Sequence, residues 1–187
     1  MERDVDPYAL EMLTAILDGH DAARLTRHLV REARVAQSVG VGYDATSRGP
    51  SLFLLMGSPA EGRTRADLEA ALRAEIARLV LHGVRVDELQ RAKAQLISGQ
   101  VYRRDSMFAQ AMEMGGLEMS GLRYDSTARL VDKLKAVTAE QIRDVAARYL
   151  VDDRLTVGEL DPQPLPDQRG RAKGMSGNPE ALTEEVQ

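Results

Sequence analysis

Cysteine and tryptophan are both missing from the 187 residues. Disulfides, thiolate nucleophiles and thiolate metal sites are therefore excluded, and redox chemistry says nothing about compartment. Aromatic residues amount to only 4%, too few for the stacking platforms that hold bases or sugars. No apolar run approaches the ~20 residues needed to cross a bilayer. Met1-Glu2-Arg3-Asp4 does not open like a secretory signal, so a soluble chain without a signal peptide is expected. An excess of positive charge is absent too: 25 Lys and Arg stand against 29 Asp and Glu, interspersed, for a net charge of -4. Phosphate binding needs a clustered basic surface, so no nucleic-acid partner is expected.

What is present is the makeup of an ordinary globular protein, 43% hydrophobic and 29% charged. The length suits one domain with its own core, which needs no covalent staple. Leu10, Leu13, Ile16 and Leu17 recur at helical spacing from Pro7 to Leu17, with Asp6 expected as N-cap and Pro7 at the first helical position. A second helix, capped by Asp21, is expected from Ala22 to about Ala33. From Val35 to Tyr43 the period drops to two, with Val35, Val39, Val41 and Tyr43 on one face. Ser51 to Ser58 reads as a second strand. The short gap between them suits an antiparallel hairpin, because a parallel crossover needs a dozen or more residues.

Thr64-Arg65-Ala66-Asp67 resembles a capping box opening a helix that ends at Gly83. Further helices are expected over Val86 to Arg103, Ser106 to Ser120, Ser126 to Lys135, and from the Thr138-Ala139-Glu140-Gln141 cap to Tyr149. Leu155 to Leu160 reads as a closing strand. After Asp161 come Pro162, Pro164, Pro166 and three glycines without apolar periodicity. The expectation is a domain over 1–161 and a disordered tail over 162–187. The fold class is α+β, with helices packed on one face of a small, mainly antiparallel sheet.

Chemistry-bearing patterns are scarce. The three histidines, His20, His28 and His82, lack ligand-like spacing and are read as structural. No Gly-x-Ser-x-Gly elbow occurs near a histidine. Met107, Met112, Met114 and Met119 fit either an adaptable peptide-binding surface or gap-filling core, and core is the expectation. Arg103-Arg104-Asp105-Ser106 fits either a carboxylate holder or a helix junction capped by Asp105 or Ser106, and the junction is the expectation.

Asp18-Gly19-His20-Asp21-Ala22-Ala23-Arg24-Leu25, then Leu29-Val30-Arg31-Glu32 and Val35-Ala36-Gln37-Ser38-Val39, resembles a peptidase signature of the form ILGG…SSRL…LREERGLAYSV. Glu88-Leu89-Gln90-Arg91-Ala92-Lys93 is similar to ELERAK, and Val137-Thr138-Ala139-Glu140-Gln141-Ile142 with Tyr149-Leu150 to VTPEQI…RYL. In this order the motifs resemble the second, C-terminal domain of the insulinase and mitochondrial-processing-peptidase family, over about Asp6 to Asp161.

That resemblance implies a processing-peptidase-like half domain of a clamshell zinc endopeptidase, whose other domain carries a His-x-x-Glu-His helix. This sequence has no such motif, so no catalytic residue and no metal ligand is assigned, and hydrolysis by the chain alone is not expected. Zinc is expected on an N-terminal domain or partner subunit, with a peptide substrate and a dimeric assembly. Active relatives of the resemblance often carry an Arg and Tyr pair here; the motif aligns Val30 with the Arg and Gln37 with the Tyr. Arg31, Arg34 and Gln37 are the substrate-binding candidates. The alternative is a structural or assembly subunit of the same fold that has lost proteolysis.

Overall fold

The structure, a computed structural model, describes residues 5–103, 105–124 and 126–163, with side-chain surroundings for all of these except 101, 127 and 128. The chain forms two units, Met1–Thr156 and Val157–Gln187. Met1–Asp4, Arg104 and the tail beyond Gln163 lie outside the described residues, and with them the leader reading, part of the arginine junction and most of the expected tail.

The first unit runs α1 (Asp6–Asp18), a π-helix (Thr26–Glu32), β1 (Ala36–Gly42), β2 (Leu54–Pro59), α2 (Arg65–His82), α3 (Val86–Arg103), α4 (Met107–Met119), α5 (Ser126–Ala136), α6 (Ala139–Tyr149) and a 3-10 turn (Asp152–Arg154). It is mostly helical with one two-stranded antiparallel sheet, the α+β class expected. Ala9, Met12, Leu13, Ile16 and Leu17 are buried, which makes α1 the centre of the core. Around it pack β1, α3, α5 and α6.

Asp6 does not cap α1: it is the first helical residue, and Val5 holds the cap position. Its carboxylate instead accepts hydrogen bonds from Arg148 Nη1 and Tyr149 Oη, each at 2.7 Å. A charged partner at the far end of the chain outcompetes the local backbone amides for the same oxygen. Both capping boxes form as the spacing implies. Thr64 Oγ1 accepts from Asp67 N–H at 3.1 Å while Asp67 accepts from Thr64 N–H at 2.9 Å, and Thr138 and Gln141 exchange the same pair at α6. Gly83, with φ +71°, ends α2 by donating to Leu79 O at 2.7 Å.

In the sheet, Gly42 faces Leu54, Gly40 faces Met56 and Ser38 faces Ser58, with an irregularity between Ala36 and Ser38. Val39, Val41, Tyr43, Phe53 and Leu55 turn towards the core. Leu54 and Met56 point outward and are exposed. The expected closing strand does not form. Residues 155–163 have no regular structure, and Leu155, Val157 and Leu160 are exposed. A period of two becomes a strand only when a neighbour supplies the ladder, and the described sheet contains only β1 and β2.

The expected α-helix over Ala22–Ala33 is also corrected. Its main part is the π-helix, with Ala33 N–H bonded to His28 O at 2.8 Å, one residue further back than in an α-helix. This wider turn leaves Leu25 and Leu29 in the core and rotates the residues after them.

Candidate functional site

The π-helix, the turn after it and β1 carry the three sequence candidates, and Arg24 fixes where this stretch begins. Arg24 Nε donates to Glu88 Oε1 at 2.9 Å, and Nη2 donates to Glu88 Oε2 at 2.7 Å and to Gly83 O at 2.9 Å. The two side chains are 11% and 19% exposed. Burial pushes the Glu88 carboxyl up, but the Arg24 guanidinium and the Arg85 N–H together hold it below the usual carboxylate value. The fork joins the AARL-like and ELQRAK-like segments, 64 residues apart in sequence.

Arg31 is exposed in the last turn of the π-helix, whereas Val30 is half-buried against the core. Arg34 is exposed and turns the backbone with φ +49°, the one described non-glycine residue in the left-handed region. The signature has glycine at this place. Gln37 is exposed at the irregularity of β1. No ion pair or hydrogen bond among the described residues engages the side chain of Arg31, Arg34 or Gln37. Two guanidiniums and an amide thus occupy one exposed stretch, able to donate to carboxylates or peptide carbonyls.

A feature the sequence reading missed lies behind the same π-helix. Glu75 of α2 is 2% exposed, yet both carboxylate oxygens have cationic or imidazole partners. His28 Nδ1 lies 3.0 Å from Oε2 and Arg78 Nη2 lies 2.7 Å from Oε1. His28, Glu32, Glu75 and Arg78, with Leu29, Ala33, Ala71 and Ala74, line a cavity of about 230 Å³. Glu32 accepts from Arg27 Nε at 2.8 Å, which lowers its carboxyl below the usual value. His28 is therefore oriented by a buried carboxylate, a contact that spans 47 residues and leaves no local signal. His20 Nδ1 accepts from Ala22 N–H at 3.0 Å, and His82 is exposed in the last turn of α2. On α1, burial raises the Glu11 carboxyl, Asp44 adds to the rise and Arg103 partly offsets it.

Among the described residues, no group of three or more His, Asp or Glu side chains is placed to hold a metal ion. The described residues do not fit a zinc centre. No described helix is long and apolar enough to cross a membrane.

The family described as the peptidase M16 inactive domain matches residues 1–96, more than half of the chain. The chain belongs to this family. Solved structures agree with the fold of the M16 inactive domain. A presumed zinc protease from Bordetella pertussis Tohama I matches with a TM-score of 0.75 at 19% identity, covering 85% of this chain and 87% of that one. The inactive peptidase domain of a presumed zinc protease from Bordetella parapertussis matches at 0.73 and 18%, covering 88% of each. A protease from Helicobacter pylori matches at 0.74 and 16%, covering 81% of this chain and 36% of that longer one. No curated protein matches. An M16 inactive domain implies an N-terminal partner domain, and zinc is associated here with the family.

Proposed function

We propose that this chain is the passive half of a zinc endopeptidase. It forms one wall of a two-part peptide chamber against a zinc-bearing N-terminal domain or subunit, and it acts by binding and enclosing peptide. The observation that carries this reading is the exposed stretch of the M16 inactive domain ending in Arg31, Arg34 and Gln37. Among the described residues its side-chain donors have no partner, and the Arg24–Glu88 fork anchors its root.

In this reading Arg31 takes the role that alignment assigns to position 30. The Val30 side chain packs on the core, while Arg31 projects to solvent from the wide turn. Arg31 and Arg34 would hold peptide carboxylates or carbonyls, and Gln37 would orient the peptide backbone without supplying a proton, since an amide does not titrate.

The test is peptide hydrolysis by this chain alone, and again after its zinc-bearing partner half and zinc are added. The expected result is no turnover alone and turnover on reconstitution. Alanine at Arg31, Arg34 and Gln37 together should raise KM roughly tenfold with kcat little changed, because exposed charge contacts are worth ~0.2–1 kcal/mol each. Full activity of the partner half without this chain would defeat the reading and favour a scaffold role.

A further inference from the structure

We infer that the outward face of α4 is a self-complementary surface on which a second copy of this chain docks, antiparallel, helix against helix. This inference does not depend on the role proposed for Arg31, Arg34 and Gln37.

Helix α4 is apolar on the wrong side. The positions turned towards the body are Ala109, Gln110, Glu113, Leu117 and Ser120. Its solvent side carries Met107 at 87% exposure, Phe108 at 76%, Met112 at 62% and Met119 at 80%. The expectation that these methionines fill the core is therefore overturned. The inward side of a helix is set by i, i+3, i+4 spacing, and here that spacing puts Leu117 alone among the large apolar residues on the buried side. No Lys or Arg occurs between residues 105 and 122.

The centre line of the exposed face reads Phe108, Ala111, Gly115, Met119, large at both ends and small in the middle. Gly115 and Gly116 have no explanation within one copy. A Cβ at either would meet nothing within 4 Å, and neither backbone is left-handed. A mid-helix glycine costs about 0.5–1 kcal/mol relative to alanine, and an open surface gives nothing in return. A second backbone approaching closely would use the space.

The pattern is also symmetric, as a two-fold antiparallel pairing requires. An axis midway between Glu113 and Met114 sets Phe108 against Met119 of the second copy, Met112 against Gly115, and Ala111 against Gly116. Met112 and Ala111 then meet glycines, Met114 meets Glu113 beside the axis, and at the two ends sulfur meets an aromatic ring, a favourable contact. The exposed acid on this helix, Glu118, would lie roughly 13 Å from its copy along the axis, beyond the ~8–10 Å over which exposed charges act at ordinary salt. Met107, Phe108, Met112, Met114 and Met119 together expose on the order of 700 Å², taking roughly 200 Å² for each large side chain, against the ~800 Å² per partner that a standard interface buries.

Sedimentation equilibrium of the full chain is expected to show a reversible dimer at roughly 10–100 μM. A Cβ at Gly115 meets no atom within 4 Å in the single copy and leucine raises helix propensity, so Gly115→Leu should keep the melting transition while weakening dimerisation at least about tenfold. Phe108→Glu should do the same. The sequence has no cysteine of its own, so an Ala111→Cys, Gly116→Cys double variant should oxidise to a covalent dimer through residue 111 of one copy and residue 116 of the other. A chain that stays monomeric throughout, or a dimer indifferent to Gly115→Leu, would overturn the inference. So would protection of Met107, Met112 and Met119 from oxidation only when a zinc-bearing partner or a peptide is added.

Discussion

Arg34 holds a backbone conformation that costs an L-residue with a Cβ about 1–2 kcal/mol and costs glycine almost nothing. Its φ of +49° sits between the π-helix and β1, where the chain must reverse within three residues. Arg34→Gly is expected to raise stability by about 0.5–1 kcal/mol in urea melts, less than the full strain because glycine also loosens the unfolded chain. If Arg34 binds peptide as proposed, the same substitution weakens that binding, so stability and affinity move in opposite directions. At Glu88 the balance is electrostatic. Removing one partner of a largely buried bidentate pair leaves the other unsatisfied, so Glu88→Gln should destabilise by about 2–3 kcal/mol at pH 7. The folded carboxyl lies below its ordinary value of 4.5, so its contribution is complete above that value and is lost as pH falls through the lower folded one. The gap between wild type and Glu88→Gln, followed by thermal melts, should therefore narrow progressively as pH falls below the ordinary carboxylate value.

At the scale of the element, local chemistry decides the helix starts. Thr138 and Gln141 satisfy two otherwise orphaned N–H groups of α6, and Thr138→Ala should cost about 1 kcal/mol in thermal melts. The capping boxes at α2 and α6 were legible because donor and acceptor lie within three residues of each other. Asp6 was not, since its partners Arg148 and Tyr149 lie more than 140 residues away. The π-helix was illegible for a different reason: its apolar residues Leu25 and Leu29 satisfy an α-helical period as well. The hairpin was legible from its period and loop length, and the structure adds that Leu54 and Met56 turn outward.

Across the whole molecule, the family signature rests on contacts that the chain makes with itself at long range. Arg24 and Glu88 belong to separate motifs, and the fork between them ties the π-helix to the junction of α2 and α3. Arg31, Arg34 and Gln37 were candidates drawn from the stretch that resembles the signature, and the structure adds that all three are exposed. The His28–Glu75–Arg78 contact and the outward methionines of α4 were not found, because periodicity says which residues share a face and is silent on which face meets the core. The sequence by itself determined most helix positions, the capping boxes of α2 and α6, the hairpin and the absence of a His-x-x-Glu-His helix, all properties of neighbours along the chain. Only the tertiary structure decided that the α4 methionines face solvent, that Leu155–Leu160 lacks a ladder, and that Glu75 is buried beneath His28. Burial and pairing are decided by partners distant in sequence, and no short window of residues contains both halves of such a contact.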